Sequence, residues 1–206
     1  MKIDCPKVVR RAHILICISI GWWGVGYTYA MIYLIGGTAR VGKSTLAALM
    51  LERKHISNIS TDVIRNLLDS SPTQLGLKAL EEDKKAEVFF PYLLQFLKIL
   101  QNKYEDYVIE GDLFTPEQVT SLKEKIELRC CFLGTSNITL EDIKKSDPKS
   151  DWVSNLSQEK QNTLPEYFIK KSKKIEQEAS KNNFPYFDIY PDRNASLESA
   201  YNSLFS

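Results

Sequence analysis

The sequence has few of the residues that build a disulfide framework or a zinc centre, and its positive and negative charges nearly balance. Its 206 residues include two histidines and four cysteines. Cys5, Cys17, Cys130 and Cys131 lack the spacing of a zinc site, and an adjacent pair cannot easily bridge to itself, so we expect reduced thiols. The formal net charge is +1, which provides no general attraction to nucleic acid or to an anionic membrane. Any anion must therefore be bound by local residues.

The first thirty residues differ from the remainder. Basic residues precede a long apolar run over residues 14–27, which is typical of a secretory signal or a short membrane anchor. The run merges with the following apolar strand without a spacer, so a start assigned too far upstream, with Met31 as the true beginning, is a second explanation. A packed N-terminal element is the third. We expect residues 31–206 to form one cytoplasmic domain, with membrane contact only if residues 1–30 are an anchor.

A glycine loop between an apolar strand and a helix is the clearest motif in the chain. The apolar residues 32–35 lead into Gly37-x-x-x-x-Gly42-Lys43-Ser44, and helix formers follow. This order is the context that a phosphate-binding P-loop requires, although a glycine turn that merely precedes a helix is the alternative. We expect Lys43 to reach the terminal phosphates of a nucleotide and the Ser44 hydroxyl to bind Mg²⁺. The predicted nucleotide-binding residues here are Gly37, Thr38, Ala39, Arg40, Val41, Gly42, Lys43, Ser44 and Thr45.

Short apolar strands alternate with helical patterns along the rest of the chain. This alternation predicts an α/β fold with a parallel sheet covered on both faces. A helix capped by Thr61 or Asp62 is expected after the second strand, and Pro91 should begin a new helix or kink the long one that contains it. The strand candidates are residues 32–35, 56–60, 107–110, 128–133 and 186–189. The helical candidates are residues 45–54, 62–68, 77–103, 116 onward, 140–145, 166–182 and 196–204.

Polar residues follow several of the predicted strands, and parallel sheets bind ligands beyond the carboxyl ends of their strands. Asp62 and Arg65 share one helix face at positions i and i+3. Asp62 could take or orient the proton of an attacking hydroxyl, and Arg65 could hold an anionic group, although a capping Asp and a surface Arg remain the alternative. Glu110 could hold a magnesium-bound water or a substrate hydroxyl, or simply end its strand. The predicted acceptor-side residues are Asp62, Arg65, Glu110, Gly111 and Asp112, with Ser44 and Glu110 as the metal candidates.

Other nucleotide-binding classes fit the sequence less well. A GTPase needs a guanine-reading Asn-Lys-x-Asp, and residues 102–105 read Asn-Lys-Tyr-Glu. A transporter or ring ATPase needs a longer chain and a second signature, which residues 155–158, Asn-Leu-Ser-Gln, do not supply. A small kinase is the remaining class.

Residues 31–205 resemble the nucleoside and small-metabolite kinases of the P-loop fold. The resemblance rests on residues 37–44, on residues 60–65 with their Asp-x-x-Arg, and on Val108-Ile109-Glu110-Gly111. These pieces are similar to adenylate kinase, adenylylsulfate kinase and 2-phosphoglycerate kinase relatives. The resemblance implies a three-layer fold with the strand order 2-3-1-4-5, a helical lid at about residues 136–165, and use of ATP and Mg²⁺.

The expected lid departs from that family because it contains no arginine. Lys144, Lys145 and Lys149 are its available cations, and Arg40 in the P-loop could supply part of the missing charge, which makes it a catalytic candidate with Lys43 and Asp62. The resemblance also implies that Arg193 and Asn194 lie where the adenine edge is read.

These observations predict an enzyme that transfers the γ-phosphoryl group of ATP to a small acceptor. A nucleoside monophosphate kinase is one alternative. A nucleotide-binding regulatory or toxin-like protein without metabolite turnover is another. The sequence leaves the acceptor and the oligomeric state open.

Overall fold

A computed structural model describes residues 30–71, 75–103, 105–145 and 152–206. Residues 1–29, with Cys5 and Cys17, and residues 146–151, with Lys149, lie outside the described residues, as do the predictions made for them. The strands are β1 (Ile32–Gly37), β2 (Ser57–Ser60), β3 (Tyr107–Glu110), β4 (Leu128–Gly134) and β5 (Tyr186–Asp188). The helices are α1 (Lys43–Lys54), α2 (Thr61–Ser70), α3 (Glu82–Gln101), α4 (Pro116–Lys123), α5 (Leu140–Lys145), α6 (Gln158–Lys181) and α7 (Arg193–Ser203).

The five strands form one parallel sheet in the order β2-β3-β1-β4-β5, which confirms the predicted topology. In the centre of the sheet, Leu34 of β1 lies beside Ile109 of β3 and Cys130 of β4. All six residues of β1 are buried, because a central parallel strand is covered by helices on both faces. The order places the P-loop, which follows β1, next to the end of β3, with the end of β2 one strand further.

The two faces of the sheet pack against different helices. One cluster contains Leu34, Phe89 and Phe132 with the apolar residues of α3 and α4. The other contains Ile35, Met50 and Tyr201 with the apolar residues of α1 and α7. Successive side chains of a strand point to opposite faces, so the adjacent thiols of β4 are separated: Cys130 belongs to the first cluster and Cys131 to the second. Both are free cysteines.

Several helix boundaries differ from the predictions. The cap of α2 is Ser60, whose hydroxyl accepts a hydrogen bond from the Asp62 amide, so neither Thr61 nor Asp62 is the cap. The long pattern from Leu77 begins with a 3₁₀ turn at Leu77–Ala79, and α3 starts only at Glu82. Pro91 lies inside α3 and does not begin a new helix.

The last two helices begin earlier than predicted because each has an upstream cap. Ser157 accepts a hydrogen bond from the Lys160 amide, so α6 starts at Gln158 and contains Pro165. Residues 158–165, which the lid was expected to include, are therefore the first turns of α6. Asp192 caps α7, which places Arg193 and Asn194 in its first turn and not in a loop before it. Within the described residues, no helix combines the length and the apolar character needed to cross a bilayer.

Candidate functional site

The loop between β1 and α1 has a backbone that depends on glycine at two positions. Gly37 has a φ of 133°, and a side chain there would meet the Leu133 carbonyl oxygen at 2.0 Å. Gly42 has a φ of 95°, in a region that L side chains rarely adopt. Arg40 is left-handed as well, with a φ of 67°. The backbone of this loop is therefore curled, and Thr38, Ala39 and Val41 are its other residues.

Lys43, the first residue of α1, folds back into this loop. Its side chain is buried, with 9% of the residue exposed, and its Nζ donates a hydrogen bond of 2.7 Å to the Thr38 carbonyl. Burial lowers the pKa of Lys43, while the charges of Asp112, Glu110 and Asp62 oppose the shift. The structure thus brings the predicted P-loop lysine and the predicted acceptor-side carboxylates into one electrostatic environment.

A buried hydroxyl cluster attaches the P-loop to α6. The Thr38 hydroxyl and the Ser172 hydroxyl are hydrogen-bonded at 2.8 Å. The Thr135 amide, just beyond β4, donates to the same Ser172 oxygen at 3.0 Å. All three residues are at most 1% exposed. The position of α6 is therefore coupled to the loop that would hold a nucleotide. Ser172 was not predicted, because this contact joins distant parts of the chain and no local pattern marks it.

The start of α1 carries hydroxyl groups that are open to solvent. Ser44 and Thr45 are exposed, and the Gly42 cap provides no side-chain hydrogen bond to the helix amides. No cluster of three or more His, Cys, Asp or Glu side chains suited to a metal occurs in the described part of the chain. A Ser44 hydroxyl with one carboxylate such as Glu110 nevertheless fits Mg²⁺, which takes one or two hard protein oxygens and completes its shell with phosphates and water.

The start of α2 packs directly on the loop after β3. A side chain on Gly111 would meet the Thr61 hydroxyl oxygen at 1.7 Å, so glycine allows the two backbones to approach. The Gly111 amide donates to the Ile35 carbonyl at 3.0 Å, which ties the same loop to β1. Thr61 is fully buried, and its hydroxyl oxygen has no hydrogen-bond partner among the described residues. These contacts bring the acceptor-side residues of α2 next to Glu110 and Asp112.

The predicted acceptor-side charges are partly paired with each other. Arg65 Nη1 lies 3.0 Å from Asp62 Oδ1, so these two side chains form an ion pair as well as sharing a helix face. Glu110 is 7% exposed at the end of β3. Asp112 Oδ2 lies 3.8 Å from the Nζ of Lys171. Asp62, Arg65, Glu110, Gly111 and Asp112 thus lie on neighbouring elements, and their chemical roles remain predictions.

Lys171 is a cation near the site that was not predicted. It lies on α6 and also binds Glu82 of α3, with a separation of 2.7 Å between Nζ and Oε2. Burial lowers the pKa of Lys171, but Asp112 and Glu82 more than offset this effect, so the pKa is raised overall. Four lysines among residues 170–174 were a visible signal of positive charge, although nothing in their spacing indicates which one faces the site.

The remaining predicted cations lie in different surroundings. Lys145 is exposed and pairs with Glu141 at 2.7 Å, and Lys144 is also exposed. The Arg40 guanidinium carbon lies 5.5 Å from the ring centre of Trp152, just before α6. Arg193 is half-buried beside Gly42, and burial lowers its pKa. Asn194 is exposed.

The fold and the loop geometry define an α/β protein with the fold of the small P-loop kinases. A sugar kinase from Janibacter sp. HTCC2649, in an unliganded structure, is 14% identical with a TM-score of 0.56, over 85% of this chain and 95% of its own. A gluconokinase from Sinorhizobium meliloti 1021 is 15% identical with a TM-score of 0.53, over 87% and 93%. At these identities the similarity shows the fold alone. No protein-family model and no curated protein sequence matches the chain.

Proposed function

We propose that this protein is an ATP- and Mg²⁺-dependent phosphotransferase that acts on a hydroxyl group of a small molecule. The observation that carries the proposal is the buried Lys43, whose Nζ binds the Thr38 carbonyl of the glycine loop and whose charge interacts with the carboxylates of β3, α2 and the loop after β3. A lysine in this position would bind the phosphate of the donor nucleotide, and the acceptor would bind next to it. The requirement for ATP favours a cytoplasmic location.

Different residues of the chain would bind the phosphates, the metal ion and the remainder of the nucleotide. The amides of residues 37–45 and the Nζ of Lys43 would bind the β- and γ-phosphates and orient them. Ser44 would hold Mg²⁺, which when bound neutralises phosphate charge. Arg193, beside Gly42, lies close enough to the loop to contact the remainder of the nucleotide. Arg40 would add positive charge at the outer side of the loop.

Phosphoryl transfer in this site would exchange one P–O bond for another. The acceptor hydroxyl oxygen forms a bond to the γ-phosphorus, and the bond from that phosphorus to the β,γ-bridging oxygen breaks, so ADP leaves. The hydroxyl proton passes to a neighbouring carboxylate, for which Asp62 and Asp112 are the candidates, and then to solvent. Lys43 stabilises the charge on the transferred group, and its contribution is electrostatic.

Replacement of Lys43 tests this function. Lys43→Ala should lower phosphoryl transfer at least about 100-fold while the circular dichroism spectrum stays native. Lys84→Ala is the matched control, because Lys84 is exposed on α3 and should leave transfer unchanged. Labelled ATP is incubated with a panel of small molecules, and label on a small molecule is the readout. Binding of ATP without any labelled product would instead favour a nucleotide-binding protein without turnover, and full activity in Lys43→Ala would contradict the proposal.

A further inference from the structure

The basic residues around the acceptor side are already paired with carboxylates. Arg65 pairs with Asp62 at 3.0 Å, and Lys171 binds Glu82 at 2.7 Å with Asp112 at 3.8 Å. Lys85 at the start of α3 and Lys174 on α6 are paired as well, Lys85 with Glu82 at 3.1 Å and Lys174 with Asp83 at 3.0 Å. Each of these four described cations therefore already has a carboxylate partner.

Glu110 is the opposite case, a carboxylate that is buried and that accepts no hydrogen bond and forms no ion pair within the described residues. It is 7% exposed. Thr61 Oγ1 and Arg65 Nε are the described side-chain atoms that are both sealed from solvent and without a hydrogen-bond partner. The Glu110 oxygens also have no partner but do not belong to this set, so they are not sealed and a ligand can reach them. Glu110 ends β3 beside Ile35 of β1, and its charge acts on Lys43. A carboxylate buried to this degree requires hydrogen-bond donors, and the hydroxyl groups of a bound ligand would supply them in place of water.

We infer that the phosphoryl acceptor is an uncharged polyhydroxylated compound, a sugar or a polyol without a carboxylate or phosphate group. This inference rests on the proposed function. Hydroxyl groups of such a compound would donate to Glu110 and Asp112. An anionic acceptor would face these carboxylates, while Arg65 and Lys171 already have carboxylate partners and the Nε of Arg65 is sealed from solvent. Like charges brought together at a binding site reduce affinity strongly.

Matched acceptors test the inference in the full chain. Glucose, xylose, glucitol and xylitol are compared with gluconate, xylonate, glucose 6-phosphate and AMP, each with ATP and Mg²⁺, and kcat/KM is measured by ADP release and by ³¹P NMR of the product. We expect at least one neutral compound to exceed every anion about tenfold or more. Preferred transfer to an acid or a phosphate would overturn the inference while the phosphotransferase survived. No transfer to any compound would count against both.

Glu110→Gln separates recognition of the acceptor from a structural role. The variant removes the charge and retains the shape, so the preference for the neutral compound over its matched acid should fall about tenfold, mainly through KM. Glu87→Gln, on the exposed side of α3, is the control and should leave that ratio unchanged. If Glu110→Gln only raises the Mg²⁺ concentration needed for half-maximal activity and keeps the ratio, Glu110 serves the metal and the inference is wrong.

Discussion

At the scale of single residues, the buried charge of Lys43 is unfavourable in the free protein. Its ammonium group is nearly enclosed by the loop, where its Nζ donates a hydrogen bond to the uncharged Thr38 carbonyl. Desolvation of an ammonium group costs free energy, and a bound phosphate would recover part of it. The buried position of Lys43 therefore lowers the stability of the free protein.

The stability of the protein should consequently depend on pH through Lys43. Burial holds its pKa below the usual value of 10.5. At pH values between the lowered pKa of the native protein and 10.5, Lys43 is protonated in the unfolded chain and deprotonated in the native protein. The free energy of unfolding therefore rises with pH in that window. Lys43→Met removes this dependence. Urea unfolding at several pH values up to 10.5 should show the stability advantage of the variant shrinking as pH rises, and a constant difference would contradict this account.

Gly111 is the second residue whose substitution has a defined consequence. Gly111→Ala places a methyl group 1.7 Å from the Thr61 hydroxyl oxygen, so the start of α2 must move away from β3. Overpacking of this kind costs about 1–3 kcal/mol. We expect a lower free energy of unfolding and a raised KM for the acceptor, with ATP binding less affected. Adding Thr61→Ala to Gly111→Ala should recover part of the loss in a double-mutant cycle, and strictly additive effects would show that the two residues do not interact.

At the scale of elements, the strands were predictable and the helix boundaries less so. β3 was predicted to the residue, because a short apolar run stands between polar neighbours and Gly111. The capping box of Thr115 and Gln118 at the start of α4 was visible in the same way. α6 and α7 start earlier than predicted, because Pro165 lies inside α6 and does not precede it, and because the helices are capped by Ser157 and Asp192. Apolar runs in the sequence predict strands well, but where several residues could cap a helix, the sequence does not show which one does.

The pairings around the site could not be predicted because they join distant elements. The sequence indicates that Asp112 follows a strand and that lysines are frequent near residue 171. Only the packing of α6 against β4 and α4 brings Lys171 beside Asp112. Candidate residues at strand ends follow from topology, whereas their partners depend on the tertiary structure.

The contact between α6 and the P-loop can be tested through Ser172. Ser172→Ala removes a buried acceptor that the Thr135 amide uses and a partner of the Thr38 hydroxyl. Unsatisfied buried groups cost about 1–3 kcal/mol, and the loosened loop should bind ATP more weakly. Thermal unfolding and calorimetric ATP titration would measure both effects. Ser180→Ala, exposed on the same helix, should change neither, and a Ser172→Ala protein with unaltered ATP affinity would contradict the coupling.

At the scale of the whole molecule, the P-loop is in contact with the region that precedes α6. Arg40 lies over the ring of Trp152, and Trp152 is the one tryptophan among the described residues, with Trp22 and Trp23 outside them. Phosphates bound near Arg40 would attract its guanidinium group away from the Trp152 ring and so change the environment of the indole.

ATP binding should therefore change the tryptophan fluorescence of the protein. A titration with ATP and Mg²⁺ should alter the emission of the wild type and of a Trp22→Phe, Trp23→Phe protein alike. The Trp152→Phe variant should give no change although it still binds ATP in a calorimetric titration. A signal that persists in Trp152→Phe would show that the indole beside Arg40 is not the group that responds.

The two faces of the sheet also differ in what covers them, and β4 carries one thiol on each. Burial raises the pKa of Cys130 well above its usual value and that of Cys131 to about 12, so both thiols are protected from alkylating reagents until their own helical layer opens. The order in which the two are alkylated under native conditions, read by mass spectrometry after proteolysis, would reveal which half of the molecule opens first. Adjacent residues of a single strand can thus report separately on the layer of α3 and α4 and on the layer of α1 and α7.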